Sequence, residues 1–349
     1  PPRLFISHWW GEPVRDFILC LEQAILDFCM NEDDENERRG GGMSADTPVW
    51  VFAYANNQWA LGEDIPEDPN QSGFTRSMEV ANGRTLTILD RDGTVFSRIW
   101  CIFELFLTLI GTKDGKVEEE TKDGLWAVCT AHTHNYKYPY DGREEERKAI
   151  GIISGGSTSD YGGSDFITAR ETSFPFELIK KSLSIQVESA QSSVESDRVH
   201  ILNSIVGHPL NQIDNTPLTT HNKYAELNDN LRGNFASSAA SLQGAAKEGG
   251  EWWKGMIEAL SKGSVRDKME FDFEADGPWG GLTAMQATEL VAHLPPTIDV
   301  LTIYNAEYGI EFMRALIERV NKSQNMKAIY IVQTSLGGEE EGQEVGLRL

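Results

Sequence analysis

The stretch RLFISHWWGEPVRDFILCLEQAILDFC, Arg3 to Cys29, carries the reading on which the fold turns. Residues 3–7 are a short apolar run ending at Ser7, the signal of a strand. Beyond HWWGEP, apolar side chains recur at Val14, Phe17, Ile18, Leu21, Ile25 and Phe28, which is the spacing of one helix face over 14–29. The alternation then repeats. PVWVFAYA (48–55) is β-rich and long enough for a buried strand, 74–82 suits a short helix, and RTLTILD (84–90) reads as a strand. SRIWCIFELFLTLI (97–110) reads as a helix and GLWAVCTA (124–131) as a fourth strand. Strand and helix in strict alternation imply one parallel sheet with helices on both faces, an α/β architecture.

Composition narrows the partners. The 54 acidic residues against 31 basic give a formal charge of −23. A field of that sign repels phosphate backbones, so no nucleic acid is expected. The acid gathers in NEDDENE (31–37) and in the runs at 118–120, 144–146 and 339–341, which read as solvated faces or loops. None has the spaced pattern of a calcium loop. Cys20, Cys29, Cys101 and Cys129 form no Cys-x-x-Cys and read as reduced, buried thiols of a cytoplasmic protein. No membrane span is expected, because no run of about 18 apolar residues exists. The chain opens without methionine and stops inside an apparent helix start, as a piece of a longer polypeptide would; a removed leader is compatible with this N-terminus.

The middle of the chain is less patterned. GIISGGSTSDYGGSD (151–165) reads as a Gly/Ser-rich loop, 174–207 holds at least one amphipathic helix, and 211–250 reads as helix or linker. Order returns with the helix EWWKGMIEALSKG (251–263). KMEFDFEA, DVLTIYNA and KAIYIVQT then place Phe271, Leu301 and Ile329 in corresponding positions, with the amphipathic helices 282–294 and 309–320 between them. Strand-plus-helix units of this length resemble leucine-rich repeats of the ribonuclease-inhibitor type, without the usual Asn/Cys signature; a plain βαβαβ layer is the other reading. The resulting division is 1–135 as one α/β domain, 136–250 as extension and linker, and 251–349 as a repeat-like domain.

Four boxes in the first 131 residues resemble the TIR-domain family. LFISHWWGEPVRDFILCLEQAI matches its first box, a strand ending in Phe-x-Ser followed by Gly-Glu and an amphipathic helix. ALGEDI (60–65) falls where the BB loop carries its Gly, MEVANGRTLTILD covers the second helix and third strand, and SRIWCIFEL is similar to the plant-type S-x-W-C-x-x-E-L segment. The loop after the first strand departs from plant members in carrying His8, Trp9 and Trp10, and the 56–73 loop is longer than usual. The arrangement is also similar to protist proteins that join a TIR-like domain to loose repeats.

The resemblance implies a flavodoxin-like parallel sheet and, in catalytic members, cleavage of the nicotinamide–ribose bond of NAD as substrate, with no resident cofactor. The carboxylate role falls on Glu104. Nicotinamide leaves already positively charged, so an oxocarbenium-like ribose is stabilised by one anion and no proton donor is required. Ser7, His8, Trp9, Trp10, Gly11 and Trp100 are the expected substrate-binding residues: Trp9 or Trp10 as an aromatic face, Gly11 for close approach of backbone to phosphate. Self-association through Leu61, Gly62, Glu63, Asp64 and Ile65 is also implied.

Each residue has a plainer reading. Glu104 suits an ion pair with Arg98 or Arg76, His8 and the tryptophans suit packing, Cys101 suits a small apolar core residue, and Asp90 and Asp92 suit a turn. His132 and His134 lack further ligands, so no metal is expected. Phosphate-loop, dinucleotide-binding, nucleophile-elbow and zincin motifs are absent. Two functions follow: an NAD-cleaving enzyme whose repeats sense a partner, or a non-catalytic adaptor working through protein contacts. An open pocket holding Glu104 and the Ser7–Gly11 loop separates them, because a filled site, or one covered by another part of the chain, favours the adaptor.

Overall fold

The computed structural model describes residues 1–29, 46–55, 66–110, 126–137, 143–154, 170–171, 173–239, 249–262, 268–273, 282–295, 297–304, 308–323, 326–332 and 345–348. It is a mixed α/β protein built around a mostly parallel five-stranded sheet. The strands are β1 (Leu4–His8), β2 (Val49–Val51), β3 (Thr85–Leu89), β4 (Trp126–Lys137) and β5 (Glu144–Ser154), in the order β2-β1-β3-β4-β5. β1 pairs in parallel with β2 and β3, and β3 with β4.

Helices cover both faces. On one, α1 (Val14–Cys29) lays Phe17, Cys20 and Ala24 onto Leu4, Ile6, Leu86, Ile88, Ala127 and Cys129. Between β2 and β3 come the turn α2 (Phe52–Ala55) and α3 (Gly73–Val80), and α4 (Ile99–Leu109) follows β3. Phe5, Phe52, Phe74 and Met78 pack together on the second face with Trp50 and Trp100. Asp90 makes the turn that launches α4: its carboxylate accepts from the Thr94 N–H and hydroxyl, both at 2.7 Å, and Gly93 supplies φ +67°.

Two sequence expectations are corrected here. The run 48–55 is not one long strand. It leaves the sheet after Val51, because β2 is an edge strand and the helical turn at 52–55 buries Phe52, stacked on Phe74 at 4.5 Å. The sheet is not wholly parallel either. β4 runs past residue 131 and pairs antiparallel with β5 from Ala127↔Ser154 to Lys137↔Glu144, so the acidic run 144–146 and the start of the Gly/Ser-rich segment lie in a strand. This hairpin straddles position 135, so the five-stranded sheet continues beyond it.

The following segment forms a further layer. Helices α5 (Phe176–Ser182), α6 (Glu195–Val206), α7 (Asn222–Ala239) and α8 (Gly250–Lys262) contribute Leu178, Ile201, Leu202, Ile205, Leu227, Leu231, Phe235 and Trp253 to a core continuous with α4 and Trp126. The same core reaches a second sheet of β6 (Lys268–Asp272), β7 (Val300–Tyr304), β8 (Ala328–Val332) and β9 (Val345–Arg348). β6, β7 and β8 are parallel, with α9 (Ala284–Ala292) and α10 (Gly309–Lys322) as crossovers, and β9 is antiparallel. Leu301 and Ile329 correspond as expected, but their partner on β6 is Met269; Phe271 pairs with Ile303. A shift of two residues keeps each side chain on its face, so spacing alone leaves it undetected.

Candidate functional site

The residues singled out in the sequence collect where β1 ends, between β2 on one side and β3 on the other. In open α/β sheets this reversal of strand order leaves a crevice at the carboxyl ends of the strands. Alternation along β1 divides its side chains. Leu4 and Ile6 turn toward α1, as does His8, whose ring lies 4.8 Å from Phe17; Phe5 and Ser7 turn toward α4.

Glu104 projects from the middle of α4 beside Ser7 and is 4% exposed. Its Oε2 has no hydrogen-bond partner, and its carboxyl makes no ion pair among the described residues, so pairing with Arg98 or Arg76 is not realised. Desolvation pushes its pKa up to about 8, with proximity to the Ser7 hydroxyl pulling the other way. The Ser7 Oγ is itself buried and without a well-formed hydrogen bond. Two orphan polar atoms thus share one dry spot, and at neutral pH the acid is mainly protonated. Beside it, the Cys101 thiol faces the His8 carbonyl at 3.8 Å and is pushed well up by burial and by Glu104, as an unreactive core thiol would be. Cys20, Cys101 and Cys129 are all buried and free.

The aromatic residues take different roles. Trp100 stacks on Phe74 at 5.1 Å and donates its Nε1–H to Asp197 Oδ2 at 3.0 Å. The stack continues through Phe52 to Trp10, at 4.5 and 5.0 Å, so Trp10 is its outer end, 52% exposed. Trp9 is half-buried against the main core, and its indole lies across Gly11: a Cβ at position 11 would stand 2.3 Å from that ring. The room over Gly11 that the resemblance reserves for a phosphate is filled by Trp9. Burial pushes His8 down to about 4, so its imidazole is neutral. Thus Ser7, Trp100 and Glu104 come together on one face, His8 points to the other, and Trp10 and Gly11 sit at the surface end. Leu61, Gly62, Glu63, Asp64 and Ile65 lie outside the described residues.

Three participants were missed in the sequence. Glu12, directly after Gly11, is buried with an unpartnered Oε2, and its carboxyl is raised to about 7, first by desolvation and then by Asp90 and Asp16, with Lys148 opposing. Its signal was available, since it belongs to the Gly-Glu of the first box. Asp197 and Gln191 had no local signal. Ile99 N–H donates to the Gln191 carbonyl at 2.9 Å and Gln191 N–H to the Ser97 carbonyl at 2.8 Å, so the strand-like segment before α6 is stitched to the start of α4. Two surface clefts of about 390 and 520 Å³ lie between α7 and α8 and between α9 and α10; neither includes Glu104. In this state the site holds a buried acid raised in pKa beside Ser7, one helical turn from Trp100. Comparison of the chain with protein-family models, with curated proteins and with solved structures gives no match.

Proposed function

We propose that the chain acts at rest as a TIR-like adaptor or assembly module, joining partners or copies of itself through its surfaces in the cytoplasm. The observation that carries this reading is the closed site: Glu104 is 4% exposed, and the tryptophan one turn before it is tied to Asp197 of another layer of the same chain. The parallel order β2-β1-β3-β4 supports a flavodoxin-like reading, and the antiparallel β5 departs from it at the edge. Exposed Val14 and Ile18, beside half-buried Leu21 and Ile25 on α1, supply a contact stripe independent of residues 61–65.

A second reading is favoured by the orphan pair. A buried carboxyl and hydroxyl without partners at a strand-order reversal suit an NAD-cleaving site that becomes competent on opening, since functional sites collect perturbed acids. Nicotinamide release from NAD, measured on protein whose assembly state is established by sedimentation, separates the two. No release from assembled protein supports the adaptor. Release that Glu104→Gln abolishes, with the fold retained, establishes the enzyme.

A further inference from the structure

We infer that the segment Ser182–Arg198 is a latch that keeps Trp100 closed over Glu104, and that release of the first turn of α6 opens the site. The inference rests on the second, NAD-cleaving reading for its functional consequence and on geometry alone for the latch itself. Trp100 and Glu104 are one turn apart on the same face of α4, which makes them neighbours along the helix. One face of that indole is covered by Phe74, and its edge is held by Asp197. The parallel bridge between Arg98 and Gln191 fixes the backbone beside it.

The contact is built to be broken locally. The hydrophobic anchors of α6 are Ile201, Leu202 and Ile205, all beyond its first turn. That first turn starts at Val194, 50% exposed, with no side-chain cap; the Asp197 N–H is met only by the Val194 carbonyl at 3.2 Å. Asp197, in the position where an acid usually serves its own helix end, instead reaches to Trp100. Arg198 holds the 188–190 turn by donating to the carbonyls of Glu188 and Ala190 at 3.1 and 3.0 Å, and pairs with Glu195 at 3.2 Å. Polar bonds at the surface end and apolar burial at the other let one turn fray while the helix stays docked. Losing Trp100–Asp197 frees the indole to swing off Glu104 without unfolding the core.

Cys101, next to Trp100 and buried, reports the opening; Cys129 lies on the opposite face of the sheet under α1 and serves as internal control. Alkylation of each thiol in the folded chain is followed by peptide mass spectrometry, with nicotinamide release from NAD measured in parallel. In Asp197→Ala, Cys101 labelling should rise about tenfold over Cys129, from the strength of a hydrogen bond to a charged acceptor. Asp197→Asn, whose amide oxygen still accepts from the indole, should remain near the unsubstituted protein. An unchanged Cys101-to-Cys129 ratio in Asp197→Ala overturns the latch. If both thiols rise together through unfolding, Trp100→Phe, which keeps the stack and removes the N–H, decides: a selective Cys101 rise supports the latch and an equal rise overturns it. Selective opening without nicotinamide release leaves the latch standing and removes the NAD reading.

Discussion

Glu104 is a carboxyl on an apolar helix, buried beside Ser7. A carboxyl inside the apolar run 97–110 had to be paired, displaced in pKa or catalytic. The fold chose displacement, because Ser7 is the polar group beside it and water is excluded. The consequence has a definite sign. With a folded pKa of about 8 against an ordinary 4.5, the acid favours the folded state fully below about pH 4.5, and that contribution is lost as pH rises through about 8. Each unit of displacement is worth about 1.4 kcal/mol. Glu104→Gln should therefore be more heat-stable than the unsubstituted chain at pH 8.5 and no more stable at pH 4, by calorimetry at both. A difference independent of pH would show that the buried acid is not the titrating group. Glu12→Gln should flatten the lower part of the same profile, up to about pH 7.

At the scale of elements, the β4–β5 hairpin decides how the extension meets the sheet. Gly151 lies where β5 passes under the turn leading to α5, and a Cβ there would stand 2.4 Å from the Phe174 Cα and 2.8 Å from its N. Backbone cannot give way as a flexible side chain can. Gly151→Ala should cost about 1–3 kcal/mol, seen as a lower denaturant midpoint. A neutral result would mean that the 173–175 turn shifts freely. The strand itself was hard to read in sequence because GREEERKA is a run of charged residues, three acidic then two basic after Arg143, and carries no apolar face until Ile150. By contrast, α1 and the β6–β8 units were legible, since each needs one apolar stripe or row against one core and its spacing records that.

For the whole molecule, the balance of charge and exposed apolar surface bears on assembly. A chain of −23 resists loose aggregation, so association requires a local apolar contact strong enough to offset repulsion. The α1 stripe offers one. Ile18→Glu should shift sedimentation of an assembled protein toward monomer and leave its melting temperature within about 1–2 °C, because Ile18 is 46% exposed and outside the core. Sedimentation unchanged by this substitution in a self-associating protein would remove α1 from the interface. Raised salt, by screening like charges, should strengthen the assembly of the unsubstituted chain.

The sequence by itself determined the α/β class, the parallel β1-to-β4 layer and the amphipathic helices, whereas Ser7 and Glu104 were named together only through the family resemblance. The class, the layer and the helices depend on local periodicity and on the rule that strand-to-helix loops share one end of a sheet. Only the tertiary structure decided the antiparallel fifth strand, the two-residue shift on β6 and the burial of the candidate site. Trp100 meets Asp197 across 97 residues, and Trp9 closes the space above Gly11. Such contacts leave no local pattern, because what fills a pocket depends on which distant surfaces the core brings together. Periodicity records which face of an element is covered; it does not record by what.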